Sequence, residues 1–174
     1  MKKHIPLIVG ISLPVLFIII MSIVIFAPSL FVKPQYNFIY SNFNESFYPY
    51  NFYKNTFEVK GNHIVLKAIP ENPNRTSVGD IPTLYLYDVK ASSSHQITLD
   101  EAKGYSVDAG PSSPDGYTVQ YEYNYNRGFF PFGGGGSDSG YFVEKDGVKK
   151  KLSGLSGNNG YPYEGGLKVV GWIK

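Results

Sequence analysis

The feature that most constrains this chain is an apolar run near its N-terminus, where residues 5–27 pass 23 positions without one charged side chain. A helix crosses the hydrocarbon core of a bilayer with about 20 such residues. The centre of the run reads Leu16-Phe17-Ile18-Ile19-Ile20-Met21. Pro6 falls in the first turn, where a missing N–H costs little, and Pro14 is a kink that membrane helices tolerate. A cleaved secretory signal is the competing reading, but its apolar core usually has only about 7–15 residues. Its one cleavage position would follow Ala27, with bulky Ile25 two residues earlier and Pro28 directly after, and a proline there obstructs the peptidase. A pilin-type leader needs a Gly cleavage site and an early Glu, and the run has neither arrangement. The sequence therefore predicts an uncleaved anchor. Lys2 and Lys3 precede it and only Lys33 follows closely, which places the N-terminus in the cytoplasm and the C-terminal part outside it. The expected organisation is a cytoplasmic stub over 1–4, a transmembrane helix over 5–27, an aromatic-rich juxtamembrane linker over 28–55, and an extracytoplasmic β domain over 56–174.

The chain has 174 residues, enough for one ordinary domain beside the anchor. Three of its 16 basic residues lie at or before Lys33, and 13 basic residues against 14 acidic ones follow it. The domain is thus nearly neutral, and nothing in it suggests nucleic-acid binding. Cysteine is absent, which excludes a disulfide scaffold, a Cys-ligated metal and a Cys nucleophile. The charged fraction of 17% is too low for a solvated disordered chain.

Nine of the 18 residues over 36–53 are Tyr or Phe, interleaved with Asn and Ser. Such a run suits a membrane interface, because a tyrosine ring is apolar and its tip polar, or a strand packed on the domain. The same rings could form a binding surface for sugars or peptides. Tyr48, Tyr50 and Tyr53 from this run, with Phe129, Phe130 and Phe132 further on, are the candidate partner surface. Gly133-Gly134-Gly135-Gly136 then reads as a flexible hairpin tip and not a phosphate loop, since no Gly-Lys-Ser/Thr follows it.

Alternating apolar, β-branched and aromatic residues predict strands over 56–59, 62–69, 83–89, 117–125, 140–144 and 167–173. Gly61-Asn62 and Asp146-Gly147 are hairpin-turn signals between them. Residues 99–105 alone look helical, with Asp100 as a possible cap. A weak internal echo relates 62–66 to 116–120 and 84–88 to 140–144, at offsets of 54 and 56 residues, with a third unit opening at 166–173.

Ser113-Pro114-Asp115-Gly116-Tyr117-Thr118-Val119 resembles the strand opening of TolB-like and WD40-like propeller blades. Leu84-Tyr85-Leu86-Tyr87-Asp88-Val89, followed by Gln96-Ile97-Thr98-Leu99, resembles the later strands of such a blade. The resemblance covers about residues 60–155 and implies a small antiparallel β domain of blade-like repeats. Propellers close with roughly 4–8 blades, and two units with a fragment cannot close alone. The resemblance then implies an open sandwich, pairing with a second chain, or a reduced relative. Dipeptidyl-peptidase-like proteins also join an N-terminal anchor to a propeller, but their hydrolase domain has no counterpart here, so no catalytic residue carries over.

The search for chemistry returns little. Gly154-Leu155-Ser156-Gly157-Asn158 fails as a nucleophile elbow at its last position. His63 and His95 have no metal-ligand spacing and read as strand or surface histidines. Ser137-Asp138-Ser139-Gly140 offers oxygen ligands but too few acids for a calcium loop. Lys149-Lys150-Lys151 reads as a solvated strand edge, with anionic-polymer binding as its alternative. No cofactor or metal is expected. The predicted fold is mostly β behind a transmembrane helix. The expected role is non-catalytic protein binding or envelope assembly through open β edges, with the lipid bilayer and a protein partner or a second copy as partners. A cell-surface glycan-binding module and a degenerate hydrolase-associated domain are the alternatives.

Overall fold

The computed structural model describes residues 5–43, 51–70, 76–125, 137–155 and 166–174. Among the described residues, one long helix, α1 (Ile5–Leu30), precedes twelve strands and one short helix. The strands are β1 (Phe38–Ser41), β2 (Asn51–Tyr53), β3 (Asn55–Lys60), β4 (His63–Ala68), β5 (Thr76–Gly79), β6 (Leu84–Asp88), β7 (Ser93–Ile97), β8 (Val107–Asp108), β9 (Thr118–Tyr125), β10 (Ser137–Lys145), β11 (Val148–Lys151) and β12 (Lys168–Ile173), with α2 (Leu99–Lys103) between β7 and β8. The protein is mostly β, and every strand pairing is antiparallel except β2 with β5.

The expected span over 5–27 is helical, and the helix runs on through Leu30. At 1.5 Å per residue its 26 residues are about 39 Å long. Side chains of α1 are described without interruption only over 12–24, and among the described residues no helix is long and apolar enough to cross a membrane. The structure supports the helix and not the crossing.

Five strands form the main sheet in the order β7-β6-β1-β12-β8. Its two faces read directly from side-chain alternation. Phe38 and Tyr40 of β1, Tyr85 and Tyr87 of β6 and Trp172 of β12 face one side. Ile39, Leu84, Leu86 and Val170 face the other. Val170 and Trp172 have the same parity yet opposite faces, and the register shift between β1 and β12 accounts for it: Ile39 pairs with Gly171 but Tyr40 with Val169. The aromatic face is covered by the three-stranded sheet β11-β10-β9 through Tyr117, Tyr141 and Val143. The aliphatic face is covered by the β3–β4 hairpin and α2 through Phe57, Ile64 and Ala102. The domain is a three-layer stack with a core on each side of the main sheet.

This arrangement corrects the expected domain boundary. The linker expected over 28–55 contains β1, the central strand of the main sheet, and Phe38, Ile39 and Tyr40 have no exposed surface. A strand buried on both faces shows no polar alternation, so periodicity could not find it. The third repeat unit expected at 166–173 is instead the partner of β1. The two echo units also pair differently. β9, β10 and β11 make a consecutive meander, whereas in the first unit β4 pairs with β3, outside the unit, and β6 pairs with β7. Nothing in this topology identifies a propeller repeat.

Local chemistry explains the turns. Gly61 and Asn62 both have positive φ, at 60° and 64°, as do Asp146 and Gly147, at 53° and 76°. Paired left-handed residues make the two-residue hairpin turn that matches strand twist. α2 is capped by Thr98 and not Asp100: Thr98 accepts from the Glu101 N–H while the Glu101 carboxylate accepts from the Thr98 N–H, a reciprocal box. Asp100 instead pairs with Lys103 at 2.8 Å.

Gly154 is the tightest backbone position. Its φ is +67°, and a Cβ there would overlap the Ser92 carbonyl oxygen and lie 2.9 Å from the Ser93 Cα. Its carbonyl accepts from both the backbone N–H and the Oγ of Ser94, at 2.9 and 2.8 Å. Gly154→Ala should therefore lower stability by about 2–3 kcal/mol, a sum of left-handed strain and backbone overlap. Gly61→Ala, at similar φ but in open space, should lose only about 1–2 kcal/mol. Trp172, the one tryptophan in the chain and fully buried, reports both unfolding curves by fluorescence. Equal losses in the two variants would refute the packing argument.

Candidate functional site

The segment between α1 and β1 is stitched to the domain. The Ser113-Pro114-Asp115-Gly116 turn closes on itself, with the Gly116 N–H donating to the Ser113 carbonyl at 2.9 Å and the Tyr117 N–H donating to Ser113 Oγ at 2.8 Å. That geometry aims the Asp115 carboxylate at the chain leaving α1, where its Oδ2 accepts from the Gln35 N–H at 2.9 Å. Tyr117 Oη accepts from the Lys33 N–H at 3.2 Å, and Val32 is buried in the aromatic core. Asn37 then fixes the entry to β1: its Oδ1 accepts from Val89 and its carbonyl from Ile173. Helix and domain are thus joined by a short tether bonded at Lys33, Gln35 and Asn37.

Above the tether lies a cleft of 550 Å³ between the C-terminal half of α1 and the β10–β11 hairpin. Ile23, Val24 and Ala27 line its helical wall, and Tyr117 and Val148 its sheet wall. Two opposite charges stand at its rim, Lys145 and Asp146. The Lys145 ammonium donates to the Asp115 carbonyl at 2.8 Å and lies 5.4 Å from the centre of the Tyr117 ring. The cleft is apolar with a polar lip, a shape for binding and not for proton transfer.

The residues singled out from sequence do not assemble a reaction centre. The His63 ring nitrogen Nδ1 meets the Lys103 carbonyl at 3.2 Å at the end of α2. His95 lies on β7, with Asp88 and Glu101 as nearby carboxylates. Those carboxylates are occupied elsewhere. Asp88 accepts the N–H groups of Ala91 and Lys90, which hold its pKa below the ordinary carboxylate range, and Glu101 is lowered chiefly by the Thr98 cap. Among the described residues no group of three His, Cys, Asp or Glu could hold a metal. Residues 137–140 belong to a strand paired with β9, not to a calcium loop.

Of the expected aromatic surface, Tyr48, Tyr50, Phe129, Phe130 and Phe132 lie outside the described residues. Tyr53 is half-buried, set edge-on to Phe43 at 4.9 Å and resting against Gly79, whose added Cβ would lie 3.0 Å from its ring. It packs and does not project as a platform. The lysine run forms β11, which ends its sheet. Lys149 pairs with Glu122 at 2.6 Å, and the Glu122 hydrogen bond raises the lysine pKa. Together with the Gln120–Glu144 contact this pair brackets Phe142, which stays buried on the sheet's outer face. The opposite end of this sheet is β9, eight residues long with Tyr123 61% exposed. Sequence reasoning expected open edges from an unclosed blade repeat, which this topology does not identify. It missed the tether and cleft, because Asp115 lies 80 residues from Gln35 and Tyr117 lies 84 residues from Lys33.

Asp88 and Glu101 make the fold acid-sensitive in a defined sense. Their folded pKa values lie below their unfolded ones. Their stabilisation is present above the unfolded values, near about pH 4, and is lost as pH falls through the folded values. The urea midpoint should drop on acidification through that window. Asp88→Asn with Glu101→Gln, which keep acceptor oxygens but remove charge, should flatten the drop. An unchanged pH profile in the double variant would exclude these two groups as its source.

Compared with known protein families, with curated proteins and with solved structures, the chain matches none.

Proposed function

We propose that the chain is a single-pass membrane protein whose β domain stands outside the cytoplasm and acts by binding a protein partner, without catalysis. In this reading α1 is the anchor and the three residues Met1, Lys2 and Lys3 begin a cytoplasmic stub. The observation that carries it is the apolar flank of α1: Leu13, Phe17, Ile18 and Val24 are each about 60% exposed or more. A water-facing helix with so many exposed aliphatic side chains would aggregate, whereas lipid solvates them. Positive charge before the helix and none within it sets the orientation.

The partner-binding part of the reading rests on β9. It ends its sheet, it is long, and its exposed Tyr123 offers an aromatic anchor beside a strand edge. The other end of the same sheet is lysine-rich β11, a composition that discourages pairing. Asp88 and Glu101, the carboxylates near His95, are committed to turn and cap, which favours recognition over reaction.

Two measurements test this on the full chain in its native membrane. Alkaline carbonate should leave the chain in the pellet, and protease added outside should remove the β domain. A photo-crosslinking phenylalanine analogue at Tyr123 should yield one discrete protein adduct heavier than the chain. Release by carbonate would sink the anchor, and no protein adduct from position 123 would sink the β9 edge as the binding surface.

A further inference from the structure

The β10–β11 hairpin tip lies beside the last turns of α1, and its position has a consequence if α1 spans a bilayer, the reading on which this inference rests. Leu30 ends the helix and Ile23 lies seven residues earlier, about 10 Å along the axis. Lys145, Asp146 and Val148 share a cleft with Ile23, Val24 and Ala27. The tip therefore stands roughly 5–10 Å inboard of the helix end, which is the thickness of one headgroup layer. A 26-residue helix of about 39 Å matches a bilayer counted with its headgroups, so its end falls at the outer surface and Ile23 near the hydrocarbon boundary.

The chemistry of the cleft fits that depth. Its helical wall is aliphatic and open, with Ile23 59% and Val24 62% exposed, and Phe31 at its lip is 78% exposed. Its sheet wall presents Tyr117 and Val148. Tyrosine rings and snorkelling lysines are the side chains that settle at a headgroup layer. The rim carries one cation and one anion on adjacent residues, Lys145 and Asp146, both exposed. An acyl chain meets the wall, a phosphate meets the lysine, and a headgroup ammonium meets the aspartate. We propose that the hairpin tip is seated in the outer headgroup layer and that the cleft holds one zwitterionic phospholipid, its phosphate beside Lys145 and its ammonium beside Asp146. The domain would then have a fixed orientation on the membrane through two supports, the tether and the lipid-filled cleft.

The absence of cysteine allows single-site labelling of the full chain. Fluorophores at Asp146→Cys, at Ile18→Cys in mid-helix and at Lys60→Cys on the β3–β4 hairpin are reconstituted into phosphatidylethanolamine–phosphatidylcholine vesicles. Lipids carrying a quencher at the headgroup should remove most of the emission at position 146 and little at position 60. Quenchers deep in the acyl chain should act at position 18. Equal headgroup quenching at 146 and 60, with position 18 quenched, would overturn the seated tip while leaving the anchor intact. No quenching at position 18 would overturn the anchor and this inference together. Native mass spectrometry tests the occupant: the chain should retain one phosphatidylethanolamine or phosphatidylcholine mass, and Ala27→Trp, which fills the cleft, should release it. Retention unchanged in that variant, or exclusive retention of an anionic lipid, would overturn the zwitterionic seat. An unfolding midpoint by circular dichroism equal to that of the unsubstituted chain shows that Ala27→Trp is folded.

Discussion

Burial of β1 on both faces is the constraint on which the rest of this structure depends. Four residues, Phe38–Ser41, lie at the centre of the main sheet, between β6 and β12. Phe38 stacks on Tyr87 at 4.9 Å and tilts against Trp172 at 5.0 Å, while Ile39 faces the second core. Without β1 the sheet would split, because β6 and β12 have no other link through it. The strand that organises the domain is therefore the first one after α1. The domain cannot close its sheet until the segment that follows the helix has been laid into it.

Tyrosine is the material that makes a two-sided sheet possible in a chain this small. An aromatic core needs volume, and a phenol supplies it, but each hydroxyl must find a partner. Here they find it at the rim. Tyr40 donates to Ser94 Oγ, Tyr87 donates to the Ser153 carbonyl, and the Tyr117 and Tyr141 hydroxyls accept from the Lys33 and Leu167 N–H groups. Each bond fastens a loop to a layer. Burial raises the Tyr87 pKa because the phenolate would lose its solvation. Trp172 is the exception: among the described residues, its indole N–H is the buried side-chain polar atom left without a partner. Such a group costs about 1–3 kcal/mol, a cost set against the large apolar surface that the fully buried ring removes from water.

Much of the fold was legible because its outer strands obey period-two alternation and its turns use demanding residues. Gly61-Asn62 and Asp146-Gly147 announced their hairpins through the positive φ that they adopt. Leu84-Tyr85-Leu86-Tyr87 even carries the two faces of the sheet in its spelling, leucine to one core and tyrosine to the other. The central strand was illegible for the opposite reason, since a segment buried on both sides has no polar phase to detect. The aromatic density of 36–53 allows a membrane collar, a strand packed on the domain or a binding surface; Phe38, Tyr40 and Phe43 are core and Tyr53 packs on Gly79, which is the second of these. Composition cannot distinguish a buried ring from a displayed one when the flanking residues are Asn and Ser in both cases. The candidate site was the least legible part. Its parts are a motif near residue 115, a helix end near residue 30 and a turn near residue 146, and only tertiary structure joins them.

That junction changes what the Ser-Pro-Asp-Gly sequence means. In sequence it suggested a repeat opening, where Asp-Gly serves a tight turn. In the fold the turn does that and also uses its carboxylate outside itself, on the Gln35 N–H. Asp115 also accepts from Ser113 Oγ, and its own carbonyl accepts from Lys145. One residue thus gathers the chain leaving the helix, the turn before β9 and the tip of the β10–β11 hairpin. Three segments distant in sequence meet there, and Tyr117 repeats the link two residues later through Lys33 and the Lys145 ammonium. A domain attached to its helix by a free linker would need none of these bonds, because a flexible connection leaves orientation to diffusion. A domain attached through bonds at Lys33, Gln35 and Asn37 transmits the direction of the helix to the sheets. The edge strand β9 begins immediately after that turn. The edge strand is therefore held relative to the helix by the same few residues that hold the helix to the fold.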